Sequence, residues 1–174
     1  MIRRRALRPL SRRNPSSDRL SLCFSFPFRW LRVARSLSSP NAFLIKAIQG
    51  DNSEMTLGAM AASKGGSAVA VYGRALVADH TKAKAAGTPV AARYGLAPPS
   101  GLLPEASKER TKLQDLSGTA FDKEFVSYMI DDHPGDISDF KKEAGSDAPV
   151  DVKTLATDTL PDRQKHLDMA KRLT

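Results

Sequence analysis

Over the C-terminal three quarters of the chain, apolar residues recur at the three- and four-residue intervals of a helix face. The clearest segment runs from Leu116 to Glu143, where Val126, Met129, Ile130, Ile137 and Phe140 share one face, and His133 lies within that series. Upstream, Leu44, Ala47, Ile48, Met55, Gly58 and Ala62 predict a first helix over 42–63, opened by Ser39-Pro40-Asn41 and stopped by Gly65-Gly66. Asp51 and Glu54 lie on or beside its apolar face. A second amphipathic helix opens near Ser67 with Val69, Tyr72, Gly73, Leu76, His80 and Ala83. It runs to about residue 86, with an extension to Tyr94 left open by Gly87 and Pro89. Pro98, Pro99 and Gly101 make Gly95 to Leu103 a loop.

Pro104 and Glu105 form a good helix start, a proline in the first turn followed by an acid facing the helix dipole. Leu116-Ser117-Gly118 interrupts or bends this third helix before it continues to about Ala144. Residues 145–149 predict a turn with Asp147 as cap. The last helix carries Val152, Leu155, Ala156, Thr159, His166, Leu167, Ala170 and Leu173 on one face, with a kink expected at Pro161. Four amphipathic helices, short first and last connections and a longer middle one describe an all-α, four-helix bundle. The middle connection suits a ferritin-like crossover and an up-down arrangement alike.

Composition changes the picture at the N-terminus. Residues 1–40 contain ten arginines, eight serines and one acid, Asp18, for a net +9; the whole chain carries +8, so the other 134 residues sum to −1. A basic arm (1–40) therefore precedes a nearly neutral helical domain (41–174). The arm has the composition of an organellar transit peptide, of a disordered tail or of a misassigned start. No secretory signal is recognisable in it, because Ser21, Ser25, Pro27 and Arg29 break its one apolar stretch. Leu20-Ser21-Leu22-Cys23 matches a lipoprotein cleavage site poorly, and Phe24, Phe26, Phe28 and Trp30 are bunched instead of interleaved with the arginines as a nucleic-acid arm would have them. The folded part is expected to bind no nucleic acid. No stretch approaches the roughly 20 apolar residues of a membrane span. Cys23 is the only cysteine, which excludes an intramolecular disulfide and a multi-cysteine zinc site.

The three histidines of the chain, His80, His133 and His166, all fall on predicted core faces, near mid-length of three different helices. Glu54 has the same standing on the first helix. Mid-length residues stay at similar heights whichever way a helix points, so these four side chains are candidates for one site. Three imidazoles and a carboxylate suit a single zinc, copper, iron or nickel ion. They also suit a structural cluster of satisfied polar groups that fixes helix register, to which Pro134 would contribute by freeing the carbonyl of Ile130. Asp79 and Asp132 are turned about 100° from the adjacent histidines and are weaker candidates. Glu-x-x-His, the signature of di-iron carboxylate bundles, is absent, as are phosphate loops, dinucleotide fingerprints and nucleophile elbows.

The runs Ala47-Ile48-Gln49-Gly50-Asp51-Asn52-Ser53-Glu54, Leu76 to Ala83, Leu113 to Phe125, Met129-Ile130-Asp131-Asp132-His133, and Thr159-Leu160-Pro161 through His166-Leu167 resemble the bacterial family called domain of unknown function 4142. The resemblance covers about residues 42–172. It implies a ferritin-like fold and a location in the periplasm or outer membrane, with unknown partners and no established activity. The expectation is of a non-enzymatic envelope protein, with a metal-binding or stress-related protein and a mononuclear-metal enzyme as alternatives. This chain departs from the family where Pro134 follows His133, where Arg163 stands in place of a common leucine, and in its arm.

Overall fold

The computed structural model describes residues 40–174, which form five α-helices and, among the described residues, no strand. They are α1 (Pro40–Lys64), α2 (Ser67–Arg93), α3 (Pro104–Gln114), α4 (Gly118–Ala144) and α5 (Val150–Lys171). The arm expected at 1–40 lies, up to residue 39, outside the described residues.

Four helices are long, and they pair as two antiparallel hairpins, α1 with α2 and α4 with α5; α2 also packs on α5, and α1 on α3 and α4. The first hairpin is tight because two glycines face each other. A Cβ on Gly73 would stand 2.5 Å from the Gly58 carbonyl oxygen and 2.7 Å from the Ala62 nitrogen. The Gly65-Gly66 turn is held from α4, where the Asp122 carboxylate accepts the Gly66 N–H at 3.0 and 3.2 Å.

Two alternatives left open by the sequence are resolved, and one expectation, the cap of the last helix, changes. Leu116-Ser117-Gly118 separates two helices instead of bending one, with Gly118 at φ +55°, where a side chain would be strained. The α2 helix continues through Gly87 and Pro89 to Arg93, and α5 runs as one helix through Pro161. The Asp147 cap is replaced by Pro149 at the N-cap position of α5, with no side-chain cap. The long α2–α3 loop is pinned to α1: Asn52 donates to the Pro99 and Gly101 carbonyls, and the Ser53 hydroxyl accepts the Leu103 N–H.

The apolar core is divided. One part, including Leu57, Tyr72, Leu76, Phe121, Phe125 and Met129, fills one end; Leu44, Ile48, Ala91, Val152 and Leu155 fill the other, beside Ala47, Phe140 and Ala156. Between them every long helix contributes buried polar side chains: Asp51 to Glu54 from α1, His80 from α2, His133 from α4, and Arg163 and His166 from α5. Burying such groups is costly unless each finds a partner.

Candidate metal centre

His80, His133 and His166 are each 1–2% exposed and meet at the centre of this polar belt. The His80 and His166 rings are 5.1 Å apart between centroids, and His133 meets His166 edge-on at 5.8 Å. One ring nitrogen from each histidine lies within 4.8 Å of the corresponding nitrogens of the other two.

One ring nitrogen of each histidine is held by an acceptor. His133 Nδ1 donates to the Met129 carbonyl at 2.9 Å. The Ile130 carbonyl, which Pro134 leaves without its helical donor, is not the acceptor of this bond. His166 Nε2 donates to Asp79 Oδ2 at 3.1 Å, across from α5 to α2. His80 Nδ1 lies 2.9 Å from Asp51 Oδ1, which also receives Arg163 Nη2 at 3.4 Å; an oxygen taking a guanidinium N–H acts as acceptor, so His80 Nδ1 is the donor. These bonds leave His80 Nε2 and His166 Nδ1 with their lone pairs, buried and without a hydrogen-bond partner in the protein. Anchoring one ring nitrogen to a carboxylate or carbonyl while the other stays available is how proteins orient metal-ligating histidines.

The charge states fit that role. Burial and the Arg163 charge depress His80 to about 3; burial and His166 depress His133 to about 4; burial and His80 depress His166 to about 4. All three are therefore neutral near pH 7, the form that coordinates a metal. Partial burial works to raise the Asp79 carboxyl, but hydrogen bonds from Lys165 and His166 outweigh it and hold Asp79 at about 2. Burial pushes Asp51 up to about 7 against the lowering pull of Arg163.

Glu54 does not join the three histidines. It lies with Asp132 and His133, their ligand atoms also within 4.8 Å of one another, so His133 belongs to two groups. Burial, Asp132 and Asp136 drive the Glu54 carboxyl well above the usual range, and burial and Asp136 raise Asp132 to about 6. Asp79 and Asp132, set aside by their helical angle, enter the site through contacts that angle does not describe. Asp79 reaches a histidine on another helix, and Asp132 faces Glu54 across α1 and α4.

Arg163 is the functional-site residue that apolar periodicity passes over. Only 2% exposed, it donates through Nε to Asp136 at 2.6 Å, pairs with Asp51, and lays its guanidinium 3.6 Å from the Phe140 ring centre. The signal was its position three residues before His166, which puts both on one helical face.

No curated protein and no solved structure shows a significant match to this chain. Among the described residues no helix is long and apolar enough to cross a membrane. Residues 33–173 match the family described as Domain of unknown function (DUF4142), and the chain belongs to that family.

Proposed function

We propose that this protein is a ferritin-like four-helix bundle that holds one transition-metal ion on His80, His133 and His166, as a binding protein of the bacterial envelope and not an enzyme. The observation that carries the metal reading is the orientation of the imidazoles. Each has one nitrogen fixed by an acceptor, and His80 Nε2 and His166 Nδ1 are buried with no partner in the protein. A cluster kept for structure alone leaves a desolvation cost of about 1–3 kcal/mol at each such atom, which coordination removes. Tetrahedral zinc with bonds of ~2.0–2.1 Å needs nitrogens ~3.3 Å apart. From separations within 4.8 Å, the rings close by at most about 1.5 Å to reach that geometry.

Three neutral imidazoles suit zinc, copper, nickel or iron. The near-complete burial of the rings supports a held ion over an open catalytic position. The two antiparallel hairpins with a polar belt at mid-height support the bundle reading. The envelope location rests on the family resemblance, and the mature N-terminus, read by mass spectrometry on protein from its native host, tests it.

The metal reading is tested on the full chain, stripped with chelator and titrated with Zn²⁺ or Cu²⁺ while thermal unfolding is followed. Uptake of one equivalent with a Tm rise of several degrees is expected, since metal at 1,000 times Kd stabilises by about 4 kcal/mol. A His80→Ala, His166→Ala variant is expected to lose both effects. No stoichiometric uptake and an unchanged Tm in the parent protein would end the reading.

A further inference from the structure

The second group around His133 opens into a cleft between α1 and α4 with a volume of about 260 Å³, lined among others by Glu54, Tyr128, Asp132, His133, Asp136 and Asp139. Its acids grade from surface to core. The Asp139 side chain is 45% exposed, that of Asp136 29%, and Glu54 as a residue only 6%. Asp132, Asp136 and Asp139 follow one another by four and three residues on α4, so they line one helical stripe.

Two of these acids already have cations, Asp139 with Lys46 at 2.5 Å and Asp136 with Arg163 at 2.6 Å. Glu54 and Asp132 form no ion pair among the described residues, and Glu54 Oε2 is buried in the cleft wall without a hydrogen-bond partner. We propose that the cleft is a second, oxygen-rich site for a divalent cation, formed by carboxyl oxygens of Glu54 and Asp132 with Nε2 of His133.

His133 makes the two sites alternatives. Its Nδ1 is committed to the Met129 carbonyl, so only Nε2 has a lone pair to give. One lone pair binds one ion, and the ion that His133 holds is therefore in the carboxylate site or in the trihistidine site. The carboxylate site, nearer the surface, is the stage at which an entering cation exchanges water for protein oxygens; the trihistidine site is where a nitrogen-preferring metal comes to rest. A harder ion such as Mn²⁺ stops at the first. The sharing rests on the trihistidine reading above; the carboxylate site does not.

The experiment uses Mn²⁺ as probe on the metal-free full chain, with the loss of the free-ion electron paramagnetic resonance signal as readout. One Mn²⁺ is expected to bind the parent. Affinity is expected to fall at least tenfold in Glu54→Gln and in Asp132→Asn, and to stay within a few-fold of the parent in His80→Ala, His166→Ala. Circular dichroism melting confirms folding of each variant. One equivalent of Zn²⁺ is expected to displace the Mn²⁺. Absence of Mn²⁺ binding, or binding indifferent to Glu54 and Asp132, overturns the carboxylate site. Simultaneous retention of Mn²⁺ and Zn²⁺ overturns the sharing. Glu54-dependent Mn²⁺ binding in a protein that takes up no Zn²⁺ overturns the trihistidine reading and the sharing with it.

Discussion

Replacing Arg163 by leucine removes the one Lys or Arg side chain that, among the described residues, pairs directly with Asp51. Both side chains are 3–4% exposed, and the guanidinium also holds Asp136 and covers Phe140. Leucine keeps much of the packing on Phe140 but leaves the Asp51 carboxylate buried with His80 as its remaining partner. Breaking a buried ion pair from one side costs about 3–5 kcal/mol. Asp136, part-exposed, recovers some hydration, so about 3 kcal/mol is the expected loss.

The loss has a pH signature. Asp51 is raised in the folded protein to about 7, above the ordinary carboxylate value of 3.8, so between those values the native state holds a proton that the unfolded state has released. Stability contributed by this group is therefore lost as pH rises through that window. Without Arg163 the folded value moves higher still, so the variant's deficit against the parent grows above pH 7 and shrinks towards pH 5. Urea unfolding of both proteins at pH 5 and pH 8, with chelator present, measures it. Asp51→Asn added to Arg163→Leu is expected to recover most of the deficit at pH 8. A deficit equal at both pH values, or one that Asp51→Asn leaves unchanged, would refute the account of Arg163 as the counter-charge of Asp51.

Gly73→Ala places a methyl group on the Gly58 carbonyl and the Ala62 backbone, neither of which can swing away. A loss of about 1–3 kcal/mol is expected from equilibrium unfolding, whereas Gly101→Ala in open space stays near neutral. Asp79→Asn keeps the shape of the residue that anchors His166 and removes its charge; zinc affinity measured by competition with a chelator is expected to fall about 10- to 100-fold with little change in Tm.

Much of the helical framework was legible because apolar spacing, Gly65-Gly66 and Pro104 are local signals. The last helix was already read through Pro161, but whether α2 stops at Gly87 and Pro89 or runs on stayed open, since a proline costs a helix one hydrogen bond that packing on both sides can outweigh. Mid-length placement made Glu54, His80, His133 and His166 candidates for one site, and all four are buried between the two parts of the apolar core. It could not distribute them into the two groups that share His133, because that depends on which helices adjoin and on side-chain reach. Asp51 and Glu54 were visible on the face of α1, but the Asp51–His80 and Asp51–Arg163 contacts join residues 29 and 112 positions apart and leave no periodic trace.

X-ray absorption at the zinc edge, on full chain loaded with one equivalent, reads out the trihistidine centre itself. Three imidazole nitrogens at about 2.0–2.1 Å with the multiple scattering of histidine rings are expected, reduced to two rings in His80→Ala. A first shell of oxygens without imidazole scattering, or a spectrum that His80→Ala does not alter, would contradict the trihistidine reading.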